Sequence, residues 1–117
     1  VMSTAPPLSL TREQARRLQG YVQTYRRYAF ASLMPGTERN TTLRILQALQ
    51  GKLIDVMDQK TALFTCTLTR EEMTTLKTMT TELLLLYAKE PASDQRNAVL
   101  ADLAALKARL REGGNQL

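Results

Sequence analysis

Residues 37–53 read TERNTTLRILQALQGKL, and residues 94–110 read DQRNAVLADLAALKARL. Both stretches have the same frame. Arg39-Asn40 is followed by Leu43, Leu46, Leu49 and Leu53, and Arg96-Asn97 by Leu100, Leu103, Leu106 and Leu110. Leucines spaced by 3, 3 and 4 share one face of an α-helix. A half-buried strand would alternate with period two instead. Both stretches therefore predict amphipathic helices with one apolar stripe.

The correspondence extends outward from these helices. LTRE stands at 10–13 and again at 68–71, Leu18 matches Leu76, Tyr25 matches Leu83, and a proline follows each time, Pro35 and Pro91. The offset between the copies falls from 58 in the first helix to 57 in the second, so a one-residue deletion in the loop aligns them. We read an internal repeat over 8–53 and 66–110 in one helical domain, 1–117. Two copies are too few for a solenoid and suit a pseudo-twofold domain.

Each copy predicts a helical hairpin. Thr11 and Thr69 stand three residues before Gln14 and Glu72, the spacing of a capping box. Leu10 and Leu68 are placed to staple onto Ala15 and Met73. Proline ends the first helix of each copy. Thr37 and Asp94 are expected to cap the second helices, and Gly113-Gly114 to stop the last. On the first helix Ala15, Leu18, Val22, Tyr25, Ala29 and Leu33 share a face, and on the third Met73, Leu76, Leu83 and Tyr87 do. The expected fold is all-α: a four-helix bundle of two tandem hairpins, with helices near 12–33, 38–58, 70–90 and 94–112.

The connector at 61–68 departs from the helical pattern. Phe64, Cys66 and Leu68 alternate with threonines, which predicts a short extended segment able to pair with LSLT at 8–11. Its length also admits an arrangement in which the hairpins swap between two chains.

Composition narrows the chemistry. The chain has no histidine and a single cysteine, Cys66. The commonest general base and metal ligand is thus missing, and no intrachain disulfide can form. Carboxylates at metal-ligand spacing are absent too, and Glu71-Glu72 are explained by a helix N-terminus. We expect a non-enzymatic protein without metal or cofactor. The longest apolar run, Leu83–Ala88, is far short of the roughly 20 residues of a membrane span. The first ten residues lack the basic and apolar regions of a secretory signal, so a cytoplasmic location is expected.

Three groups of residues are candidates for function. The outer face of the first helix carries Arg12, Arg16, Gln19, Gln23, Arg26 and Arg27 over about 22 Å. It is either a solvated face or a grip for an anionic partner such as a nucleic-acid backbone. Most charged faces are solvated, the reading we prefer, and the charge balance is a hint of the second: residues 1–56 hold eight Lys/Arg against three acids, which is the whole of the +5. In the third helix Leu84 and Leu85 replace Arg26 and Arg27, an apolar patch suited to self-association or a partner protein. Arg39-Asn40 and Arg96-Asn97 form either a polar pocket at one end of the bundle or the fastening of each hairpin turn, the reading we prefer. The expected function is a helical protein–protein interaction module, a homodimer or a subunit of an assembly. The alternative is a basic nucleic-acid-associated protein.

Overall fold

The structure, a computed structural model, describes residues 8–59 and 63–115, and of residues 64 and 111–115 the backbone alone. The elements in chain order are β1 (Leu8–Thr11), α1 (Arg12–Ser32), α2 (Thr37–Met57), β2 (Leu63–Cys66), α3 (Arg70–Ala88) and α4 (Asp94–Asn115). This is an all-α four-helix bundle with a two-stranded clasp. α1 packs along α2 and α3 along α4, and the two hairpins meet through α2–α3 and α1–α3 contacts within one chain.

The starts of α1 and α3 follow the sequence signals closely. The Thr11 hydroxyl accepts from the Gln14 N–H at 3.2 Å, and the Gln14 carboxamide accepts from the Thr11 N–H at 2.9 Å. Thr69 and Glu72 exchange the same two bonds at 3.1 and 2.8 Å. Just upstream, Leu10 and Leu68 are buried. β1 and β2 pair antiparallel, with Leu8 opposite Cys66 and Thr11 opposite Leu63. Thr61 and Ala62 of the expected connector, and the Phe64 side chain, lie outside the described residues.

Three helix ends differ from expectation. Thr37 is the first helical residue of α2 rather than its cap. The cap is Gly36, at φ 152° and ψ −168°, whose carbonyl takes the first helical bond from the Asn40 N–H. Such a backbone favours glycine, so the turn geometry displaces the threonine by one position. Asp94 likewise begins α4, and Ser93 caps it by accepting from the Arg96 N–H at 3.0 Å. Asp94 keeps a favourable place beside the positive end of the helix. Helix α4 also runs through Gly113 and Gly114 to Asn115. Glycine is a weak helix former, about 1 kcal/mol poorer than alanine, but it does not forbid continuation.

The core is built largely on the expected stripes, with Val56 and Met79 added, whereas Leu100, expected in the fourth stripe, is only half-buried. Ala15, Leu18, Val22, Tyr25 and Ala29 of α1 are buried, with Leu46, Leu49, Leu53 and Val56 of α2. Met73, Leu76, Met79 and Leu83 of α3 and Leu103 and Leu110 of α4 complete it. Leu33, Leu43, Tyr87 and Leu106 pack half-buried at its margin. Thr80 stands fully buried among them, and its hydroxyl donates to the Lys77 carbonyl at 2.9 Å, so no polar atom is stranded. Cys66 is buried under the clasp, and burial pushes its thiol up from the ordinary value.

One charged group lies inside this apolar frame. Glu72 is 5% exposed. It closes the α3 capping box and also accepts from Lys52 Nζ of α2, which donates to the Thr67 carbonyl as well. The pair ties the first hairpin to the entry of the second. Replacing Glu72 with alanine removes the cap and the ion pair, and leaves the partly exposed Lys52 ammonium with the Thr67 carbonyl alone. Urea unfolding followed by circular dichroism should show a loss of about 1–3 kcal/mol, and Glu72→Gln, which keeps the acceptor, should lose less.

Candidate functional site

The arginine face of α1 divides into two halves with different environments. The N-terminal half is engaged within the fold. Arg12 donates through both terminal nitrogens to the carbonyls of Met57 and Gln59, closing the end of α2, whose own last turn holds no basic residue. Arg16 pairs with Glu13 at 2.6 Å on the surface. That pairing holds the Glu13 carboxyl below its ordinary value and raises Arg16. Arg17 reaches Asp102 of α4 at 3.0 Å.

The C-terminal half opens into a groove. Gln23, Arg26, Arg27 and Phe30 of α1 face Asn40, Leu43, Arg44 and Gln47 of α2 across an open cavity of about 710 Å³. On both helices the lining falls at i, i+3, i+4 and i+7, one face over two turns, or about 10 Å of helix. The floor holds Leu43, half-buried against the core, and Phe30, 60% exposed. Met34, 85% exposed, lies in the loop that follows α1. Arg26 donates to the Gln50 carboxamide. Among the described residues nothing bonds the guanidinium of Arg27 or Arg44, and no acid lines the groove.

The Arg-Asn pairs sit at the loop end of the bundle. Arg39 donates to the Phe30 carbonyl at 3.4 Å and stacks its guanidinium 4.5 Å above the Phe30 ring. Its Nε is buried without a partner. Arg96 donates to the Glu90 carbonyl at 3.0 Å and to the Asn97 carboxamide at 2.9 Å. Thus it is the arginines that reach back across each turn, whereas both Asn residues are exposed and Asn40 lines the groove. In α3, Leu84 packs half-buried against the core, and Leu85 is 61% exposed.

At the positions of the second hairpin that match the groove by the offsets of 58 and 57 stand Thr81, Leu84, Leu85, Ala88, Asn97, Leu100, Ala101 and Ala104. Asn40 and Leu43 thus have identical counterparts. Every arginine and the phenylalanine have apolar ones.

Two further contacts were not visible in the sequence. The Tyr25 hydroxyl donates to Glu82 of α3 and the Tyr21 hydroxyl to Asp102 of α4, each at 2.6 Å. Neither carboxylate lies near its tyrosine in sequence, so no local pattern marks the pairs. Among the described residues, no group of three or more His, Cys, Asp or Glu side chains could hold a metal ion. No helix there is long and apolar enough to cross a membrane. Comparison of the chain with protein-family models, curated proteins and solved structures finds no match.

The tyrosine contacts give the fold a pH dependence. Burial, then the carboxylate hydrogen bond, raises each phenol well above its ordinary value of 10.0. A raised folded value means that the stabilisation is complete below pH 10 and is lost as pH climbs from there toward the folded value. Denaturant titrations from about pH 8 to 11 should show stability falling at the alkaline end. In Tyr25→Phe the fall should be shallower, with stability near pH 8 already lower by about 1 kcal/mol.

Proposed function

We propose that the protein is a non-enzymatic helical protein–protein interaction module. In this reading it acts as a homodimer or a subunit of a larger assembly, in the cytoplasm, with an internal duplication that supplies a shared core and two divergent outer faces. The carrying observation is the α1–α2 groove, where Arg27 and Arg44 flank an apolar floor with no partner among the described residues. Interface cores favour arginine and aromatic side chains beside apolar surface. Outside the groove, Leu85 offers a second apolar contact on α3. The lone cysteine is buried with a raised thiol, which speaks against nucleophilic chemistry there.

The second reading is a nucleic-acid-associated protein, supported by the same three groove arginines. Its weaker point is α1, where Arg12, Arg16 and Arg17 already have partners within the fold. Selection of a random-peptide display library against the immobilised protein tests the module reading. Enriched peptides should lose binding to Arg27→Glu/Arg44→Glu while the variant keeps its helical circular dichroism. If no enriched peptide depends on the groove, and native mass spectrometry gives a monomer unchanged by Leu85→Asp, the module reading fails. Labelled DNA and RNA titrated across salt address the second reading. Three phosphate contacts would give a log–log slope of about −2 to −3, and no binding at low salt would exclude it.

A further inference from the structure

We propose that the α1–α2 groove is the docking site for an acidic amphipathic α-helix of a partner protein. The inference rests on the interaction-module reading and adds the chemistry of the partner. The occupant's conformation follows from the walls. Two helices side by side form a furrow that accepts the ridge of a third helix. An extended peptide would lay its own N–H and C=O groups over Leu43 and Phe30, and helical walls have no spare backbone groups to pair them. A helix has already satisfied these groups internally.

Charge follows from the lining. Arg26, Arg27 and Arg44 converge with no acid among the lining residues. Arg27 and Arg44 each have only neutral side chains three and four positions away in their helices: Gln23, Thr24, Phe30 and Ala31 for the first, Asn40, Thr41, Gln47 and Ala48 for the second. Nothing on their own helices pairs with them, so both guanidinium groups are left to solvent and are open to carboxylates of an occupant. Length follows as well: two turns of lining on each wall match a helix presenting apolar side chains at i and i+4 toward Leu43 and Phe30, with Glu or Asp on the flanks.

A second copy of this chain fits poorly, since residues 57–117 carry eight basic and eight acidic groups and offer no net negative charge. A nucleic acid matches the arginines but makes no use of an apolar floor whose aromatic ring already carries the Arg39 guanidinium on one face.

The test uses fluorescence anisotropy with three labelled peptides of about 14 residues, four helical turns. One is a side-chain-stapled helix with a Leu stripe flanked by Glu. The second has Gln for every Glu, and the third has the first peptide's residues scrambled to break the stripe. The stapled Glu helix should bind the full-length protein. The Gln and scrambled peptides, and the Arg27→Ala/Arg44→Ala variant, should each bind at least about tenfold more weakly, a factor within reach of one charge-assisted hydrogen bond. Arg27→Gln/Arg44→Gln, which keeps polar bulk at both positions, should behave like the alanine pair.

Equal binding of the Glu and Gln helices, insensitivity to both double variants, or no binding of the Glu helix overturns the proposal. So does displacement of the bound peptide by a 15-nucleotide single strand (about one binding-site length) that itself binds more tightly. If neutral, groove-dependent peptides nonetheless emerge from the display selection, the module stands and only the acidic partner falls.

Discussion

Each of the four helices carries a single apolar stripe, and none can bury it alone. Pairing α1 with α2 and α3 with α4 covers part of each stripe and leaves an apolar side on both hairpins. Those sides meet, which is why Leu46, Leu49, Leu53, Leu76, Leu83, Leu103 and Leu110 are almost wholly removed from water. Each such side chain contributes about 1.5–3 kcal/mol relative to exposure. The polar contacts between hairpins follow the edges of this interior. Lys52–Glu72, Tyr25–Glu82 and Tyr21–Asp102 all join a side chain of one hairpin to a carboxylate of the other. They occur where a long or amphipathic side chain can leave the core with its polar tip.

The hairpins differ on their inward faces, as at Val22 and Thr80 or Tyr25 and Leu83, and differ in charge on their outward ones. The first hairpin presents Arg26, Arg27, Phe30 and Arg44 in the groove, and the matching positions of the second are Leu84, Leu85, Ala88 and Ala101. The cationic groove of the first hairpin therefore has no charged counterpart at these positions of the second. Along the cationic side of the first hairpin, engagement follows proximity to acids and open helix ends. Arg16 and Arg17 have Glu13 within a turn, Arg17 also meets Asp102, and Arg12 lies at the open carbonyls of α2. Arg27 and Arg44 have neither.

Helix ends show how local signals compete. The capping boxes at Thr11 and Thr69 form because hydroxyl, carboxamide or carboxylate, and backbone all lie within one turn. The starts of α2 and α4 obey a further constraint, the reversal of the chain after Pro35 and Pro91. Gly36 supplies a backbone conformation that Thr37 would resist, and Ser93 takes the cap beside Asp94. Periodicity placed these helices to within a residue or two, while the turn decided which residue caps them.

The sequence by itself determined the number of helices, the face that each buries, two of the four caps and the extended segment that forms the clasp. All of these depend on residues within a turn or two of one another. It also marked Gln23, Arg26 and Arg27 as part of one exposed face. The tertiary structure alone decided which arginines of this face have partners within the fold. Arg12 and Arg17 are taken up by contacts 45 and 85 residues away, while Arg27 comes to share a groove with Arg44. The register of α1 against α2 brings those two together, and register is set by how the mixed apolar stripe of α1 packs on the leucine stripe of α2, which no single helix encodes.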